Sequence, residues 1–127
     1  MREILFRGKR IDNGEWVEGA FLNDRDGAFY ICPSVSDISY GDGGERRRIG
    51  CWYKVDPSTV GQHTGMKDKN GTQIFEGDIL SIWNDRNDVV VFEDGAFDLE
   101  KTSIPMRFAN KFEVIGNITD NPELLEK

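Results

Sequence analysis

The sequence predicts an all-β fold of small, twisted sheets built from hairpins. Apolar residues occur in short runs separated by Gly, Asn and Asp, and 14 glycines are spread over the 127 residues. Few stretches repeat with the helical period, so the pattern favours strands and turns. A composition of 38% hydrophobic and 31% charged residues is that of a folded globular protein.

The first half opens with the most clearly predicted hairpin. Residues 4–9 and 16–22 flank a turn at Asn13-Gly14, and Asn-Gly supplies the positive φ angles of a tight hairpin turn. A third strand is expected over residues 28–32, because Pro33 cannot donate to a sheet and ends it.

A mobile loop is expected after this strand. Residues 34–48 carry Ser, Asp and Gly and end in three consecutive arginines, a composition typical of loops. Strand character resumes over residues 49–55, and Asp56-Pro57-Ser58 then suggests a boundary. We predict an N-terminal hairpin region, residues 1–57, with a flexible loop near 33–48, and a C-terminal region, residues 58–127. The two regions together are expected to form one cooperative unit, because the chain is short.

The second half repeats the hairpin pattern. Asn70-Gly71 forms a second turn, and strands are predicted over residues 78–83, 89–92, 96–99 and 112–118. The acidic turn at residues 93–95 joins the middle two strands into a further hairpin. Only residues 121–125 are expected to be helical, as a short turn that Asn121 or Asp120 caps and Pro122 begins.

Charge is unevenly distributed, and it argues against nucleic acid as the main partner. The net charge is −7. Residues 1–57 hold nine Lys or Arg against ten Asp or Glu, while residues 58–127 hold seven against thirteen. A net-acidic surface repels phosphate. The sequence has no membrane-length apolar run and no secretion signal, so we expect a cytoplasmic protein whose Cys32 and Cys51 stay reduced.

Candidate catalytic and metal residues are few. Cys32, Cys51 and His63 are spaced 19 and 12 residues apart, without the close pairs that zinc sites use, so we expect neither metal nor cofactor. A hydrolase using Cys51 or His63 has no supporting motif. The two carboxylates of Glu76-Gly77-Asp78 are interpreted as an acidic turn entering a strand, and the protein is expected not to be an enzyme.

One basic feature remains. If nucleic acid binds, we expect it at Arg46, Arg47 and Arg48. Trp52 and Tyr53 follow closely in sequence, and Lys9 and Arg10 add positive charge. Arginines beside aromatic rings bind phosphate, and the rings stack on bases. A solvated loop is the preferred interpretation at this net charge. Trp16, Trp52 and Trp83 are interpreted as core or interface residues, with an exposed recognition surface as the alternative.

Several stretches together resemble one family. They are residues 6–9, 13–19, 59–65, 68–71, 74–79, 113–118 and 121–125. In this order they resemble the YopX family of phage and prophage proteins. The resemblance implies a β fold with a Src-homology-three-like C-terminal barrel and homo-oligomers in some members, but little about activity. The matching residues interpreted as hairpin and barrel architecture are Arg7, Gly8, Asn13, Gly14, Trp16, Gly61, Asn70, Gly71, Glu76, Gly77, Asp78 and Gly116.

The leading functional hypothesis is a phage-encoded accessory protein that acts in the host cytoplasm without catalysis. It self-associates, because many strand edges in a small chain must be paired or covered, and binds a host or phage protein. The alternatives are a nucleic-acid module that uses Arg46–Arg48, and an acidic inhibitor that competes with nucleic acid for a host enzyme.

Overall fold

The structure is a computed structural model that describes residues 4–33, 38–40, 46–48, 52–83, 86–102 and 104–125. It is mainly β, with antiparallel sheets, and confirms the predicted fold class. The chain divides into two compact units, Ile4–Gly61 and Gln62–Lys127. In the part of the chain that is described, no helix is long and apolar enough to cross a membrane.

The N-terminal unit is built on four antiparallel strands. They are β1 (Phe6–Lys9), β2 (Trp16–Asn23), β3 (Phe29–Cys32) and β6 (Tyr53–Val55). Their order in the sheet is β6-β3-β2-β1. A turn lies at Asn13-Gly14, where the sequence predicts one, although of the two residues only Gly14 has a positive φ angle, 74°. The amide N–H of Arg10 donates to the carbonyl of Glu15 at 2.8 Å.

The end of β1 also reaches β6. Arg10 pairs with Val55 in an isolated antiparallel bridge, flanked by hydrogen bonds from the Ile11 amide to the Lys54 carbonyl (3.1 Å) and from the Asp56 amide to the Lys9 carbonyl (2.8 Å). Val55 is fully buried. A Cβ atom on Gly8 would lie 3.0 Å from the Val55 side chain, so glycine at this position lets β1 pass close to β6.

A two-stranded ribbon completes the description of this unit. Strand β4 (Ile38–Tyr40) pairs antiparallel with β5 (Arg46–Arg48). Both lie in the segment that the sequence predicts to be a loop. The three arginines therefore belong to a strand, whereas the residues that join β4 to β5 lie outside the described part of the chain.

The C-terminal unit contains a hairpin, a four-stranded antiparallel sheet and a 3₁₀ segment, Met106–Lys111, that packs in the core. The strands are β7 (Gly61–Lys67), β8 (Gln73–Phe75), β9 (Asp78–Ile82), β10 (Arg86–Glu93), β11 (Ala96–Leu99) and β12 (Glu113–Asn117). Strands β7 and β8 form the hairpin, and the sheet has the order β11-β10-β9-β12. No closed barrel is found among the described residues, so the Src-homology-three-like detail stays a prediction.

The last described residues form the predicted short helical turn, a 3₁₀ segment at Pro122–Leu125. The side-chain amide of Asn87, in β10, donates to the carbonyl of Leu124 at 2.9 Å, so this turn is fixed to the sheet. Gly116 lets Asn121, the residue before this turn, approach closely, because a Cβ atom on residue 116 would lie 2.5 Å from Asn121 Oδ1. The glycine is thus required by packing rather than by its φ angle.

Candidate partner-binding cleft

A cleft of about 270 Å³ opens on the N-terminal unit. Its walls come from the end of the first hairpin strand and the start of β6, which the Ile11–Lys54 backbone hydrogen bond holds together. The lining residues are Ile11, Asp12, Trp52, Tyr53 and Lys54. We call this the N-terminal cleft.

Arg10 stands at the cleft and stacks on one of its aromatic rings. The guanidinium carbon lies 4.1 Å from the centre of the Tyr53 ring, within the range of a cation–π contact. Asp12 fixes the guanidinium from the side, because Arg10 Nη2 donates to Oδ2 at 2.6 Å and Nε donates to Oδ1 at 2.9 Å. This forked pair pre-orients a planar cation beside the cleft.

Arg10 and Asp12 each stabilise the charged form of the other. The hydrogen bond to Asp12 raises the pKa of Arg10, and the hydrogen bond from Arg10 lowers the pKa of Asp12. Both groups lie at the surface, so the pair contributes little to folding stability. Its effect is to hold the position and charge of the guanidinium.

A second cation–π group lies on the same hairpin. Arg7 and Lys9 of β1 sit over the Trp16 ring of β2, at 4.9 Å and 5.8 Å from its centre. Strand register explains the arrangement, because Lys9 is directly opposite Trp16 and Arg7 is the diagonal neighbour. The sequence predicts Arg7 and Trp16 to be hairpin architecture, and their cross-strand contact has that form.

An exposed apolar side chain completes the cleft. Ile11 is 58% exposed and lies beside Trp52 and Tyr53 in the cleft wall. Tryptophan, tyrosine and arginine are the residues that most often dominate binding energy at protein interfaces. The N-terminal cleft therefore offers an apolar surface with cationic groups at Arg10 and Lys54.

The predicted contact residues are only partly brought together. Trp52 and Tyr53 line the cleft, and Arg10 joins Tyr53 there. Arg46, Arg47 and Arg48 form β5, and their side chains fall outside the described part of the structure. Sequence reasoning missed Ile11 and Lys54. An isolated apolar residue next to a hairpin turn was the available signal for Ile11, whereas Lys54 is placed by pairing between strands distant in sequence.

Comparison with known proteins now identifies the family. The family model described as YopX protein matches residues 5–126. The chain belongs to the YopX family. The crystal structure of protein EF1440 from Enterococcus faecalis is similar, with 29% sequence identity and a TM-score of 0.68, over 98% of this chain and 99% of that chain. No curated protein gives a significant match.

The acidic motif of this YopX-family protein lies at the turn between β8 and β9. Gly77 has φ 93° there, and the Phe75 amide donates to Asp78 Oδ2 at 2.8 Å. Asp78 is 1% exposed, so its carboxylate supports the turn from inside. Glu76 is the first residue of the same turn. This geometry gives the motif the role of a turn that enters a strand.

Two further buried carboxylates connect segments of the C-terminal unit. Asp88 accepts the amides of Val89, Lys101 and Thr102 at distances between 2.7 and 3.1 Å. Asp68 accepts amides from its own turn and from β12. Buried carboxylates whose oxygens are occupied by backbone donors in this way are structural, because they hold separate segments of the chain together.

The predicted architectural glycines are located at turns and close contacts. Asn70-Gly71 occupies the turn between β7 and β8, where Gly71 has φ 83°, and the Asn70 amide donates to Asp68. Gly61 is the buried first residue of β7. Gly8 and Gly116 are positions where another segment approaches too closely for a Cβ atom.

The residues considered for metal or nucleophilic chemistry lie in the core where they are described. Cys32 is buried in β3. His63 is buried in β7, with its ring 5.2 Å from that of Phe75. Cys51 falls outside the described residues. Among the residues that the structure does describe, no group of three His, Cys, Asp or Glu side chains is placed to hold a metal ion.

Proposed function

We propose that this YopX-family protein is a non-enzymatic, self-associating binding protein that captures a protein partner at the N-terminal cleft. The single observation that carries the proposal is the Arg10–Tyr53 stack next to exposed Ile11. In keeping with the family, we propose that the protein is encoded by a phage or prophage and acts in the cytoplasm of the host cell.

The chemistry of the cleft defines the partner. An apolar side chain of the partner would cover Ile11 and the aromatic rings, and a neighbouring carboxylate would meet Arg10 or Lys54. Burying Ile11 against a partner is favourable because it removes an exposed apolar side chain from water. Since Asp12 also lines the cleft, and the chain carries a net charge of −7, a protein segment fits better than a continuous phosphate backbone.

Site-specific crosslinking tests the proposal. A photoreactive phenylalanine analogue replaces Ile11 in the full chain, and in a matched control it replaces Ile118, which is 45% exposed in the other unit. In cells that carry the phage, we expect position 11 to crosslink one protein reproducibly and position 118 not to do so. Equal crosslinking from both positions, or none from position 11, contradicts the proposed cleft.

A second candidate function is favoured by the paired cation–π groups. Arg10 on Tyr53, and Arg7 with Lys9 on Trp16, combine positive charge with rings on which bases stack. This candidate predicts binding to a single-stranded oligonucleotide that weakens steeply with salt. Replacing Arg46, Arg47 and Arg48 by serine, or Tyr53 by alanine, should weaken it further. Salt-independent or absent binding excludes it.

A further inference from the structure

The β10–β11 hairpin carries an exposed aromatic side chain next to its turn. Phe92 is 50% exposed, and its ring packs edge-on against Phe97, its cross-strand partner, at 5.0 Å. Asp94 and Gly95 form the two-residue turn with φ angles of 53° and 82°, as a tight hairpin requires. We call residues 92–100 the acidic hairpin.

Charge determines what can cover this hairpin. Residues 93–100 include four carboxylates and no Lys or Arg, and Glu93, Asp94, Asp98 and Glu100 are all exposed. Strand β11 is an edge of its sheet, yet pairing with β11 of another copy would bring like charges together. Charged side chains on an edge strand discourage pairing with the same strand of another copy. A surface that carries positive charge would complement the carboxylates around Phe92.

The N-terminal cleft has the complementary chemistry. It offers exposed Ile11 and the Tyr53 ring as an apolar surface, with the Lys54 cation and the Arg10–Asp12 ion pair beside them. The acidic hairpin offers the reverse arrangement, an exposed aromatic ring flanked by carboxylates. Complementary charge of this kind sets orientation and excludes wrong partners.

We propose that the acidic hairpin of one copy docks into the N-terminal cleft of a second copy. Phe92 packs against Ile11 and Tyr53, and Glu93 faces Arg10. The inference rests on the proposed binding role of the cleft and names the occupant in the self-associated state. Because the two surfaces differ, the contact joins unlike patches of two copies, and repeating it produces a reciprocal dimer, a ring or an open chain of subunits.

Two complementary double variants of the full chain test this contact. The hairpin variant combines Phe92→Ser with Glu93→Ser, and the cleft variant combines Arg10→Ser with Ile11→Ser. A matched control combines Ile118→Ser with Asp26→Ser, which removes one exposed apolar residue and one exposed carboxylate elsewhere. Circular dichroism and thermal melting establish that each variant is folded, and sedimentation velocity gives the mass.

Wild type and control should increase in mass with concentration and return towards monomer as salt is added. Each double variant alone should associate at least about tenfold more weakly. A mixture of the two variants should form a one-to-one heterodimer and nothing larger, because only one intact hairpin and one intact cleft remain.

Several results overturn the inference. They are a wild type that stays monomeric at millimolar concentration, variants that associate like the wild type, and a mixture that remains monomeric. The crosslinking experiment separates this failure from failure of the proposed function. If position 11 still crosslinks a different protein in the hairpin variant, the cleft binds that protein and only the self-docking inference is lost.

Discussion

Asp68 Oδ2 accepts the backbone amide of Val114 at 2.9 Å, across 46 residues of sequence. Its other oxygen accepts the amides of Asn70 and Thr72 at 2.8 and 2.9 Å. One carboxylate thus closes the β7–β8 turn and attaches it to β12. Burial alone would raise the pKa of Asp68, but the three backbone donors together lower it below its ordinary value.

This geometry predicts acid-dependent stability. Because the folded pKa lies below the unfolded one, the stabilisation by Asp68 is complete at neutral pH and is lost as pH falls through the folded pKa, below 3.8. Asp68→Asn should reduce the free energy of unfolding at pH 7 by about 1–3 kcal/mol, since an amide nitrogen replaces one acceptor. Urea titrations from pH 7 to pH 3 should show this difference shrinking with acidity.

The exposed residue Asp26 provides the control, because its side chain lies at the surface and belongs to the other unit. Asp26→Asn should leave the urea midpoint nearly unchanged at every pH. A loss of stability in Asp68→Asn that is equally large at pH 3 and pH 7 would mean that packing, rather than the charged carboxylate, is responsible.

A second prediction concerns Gly116 and Asn121. Gly116→Ala places a Cβ atom 2.5 Å from Asn121 Oδ1 and 3.0 Å from Asn121 Cβ, so rotation of the asparagine alone does not remove the overlap. We expect a loss of about 1–3 kcal/mol in unfolding free energy. Adding Asn121→Gly should recover part of that loss, which a double-mutant cycle measures as a non-additive term. Strict additivity would show that the two sites do not touch.

Gly19 and Gly14 form a contrasting pair. A Cβ atom on Gly19 would overlap the carbonyl oxygen of Cys32, whereas one on Gly14 meets open space. Gly19→Ala should therefore cost about 3 kcal/mol or more. Gly14→Ala should cost only about 1 kcal/mol, for the positive φ angle. Thermal unfolding of the two variants side by side checks the order, and similar midpoints would refute the close approach in β2.

Arg10→Lys tests the planar cation at the cleft while preserving its charge. Lysine cannot make the forked contact with Asp12 or stack its whole head group on Tyr53. We expect self-association to weaken about threefold or more while the melting temperature stays the same, because the exposed ion pair contributes little to stability. Sedimentation at low and high salt measures the first effect. Association equal to that of wild type would remove Arg10 from the interface.

The predictable part of this fold is its local chemistry. Asn13-Gly14 and Asn70-Gly71 lie at turns because the conformations that these pairs favour are decided by the residues themselves. The turn at residues 121–125 is likewise indicated by the proline at its first position. The acidic turn that joins β10 to β11 is predictable for the same reason. Each of these signals is complete within about five residues of sequence.

The missed features depend on pairing between distant segments. No local pattern indicates that Arg10 pairs with Val55, and that bridge is what forms the cleft from Ile11 and Lys54. The strand at Arg46–Arg48 was missed because three arginines beside glycines carry no alternation of apolar and polar residues. The sequence indicates only a turn at Asp68, because its hydrogen bond with the Val114 amide joins positions far apart in the chain.

The contact between Asn87 and Leu124 has a consequence for biosynthesis. Strands β1, β2, β3 and β6 pair with one another within the first 55 residues, so these pairings can form while the ribosome is still translating the second half of the chain. The hydrogen bond from Val114 to Asp68 cannot form until β12 has emerged, and the one from Asn87 to Leu124 cannot form until Leu124 has emerged. The sheet of the C-terminal unit is therefore completed only after β12 has been synthesised, and the Asn87 contact forms later still. A translational pause before β12 would leave β9 without its last strand partner.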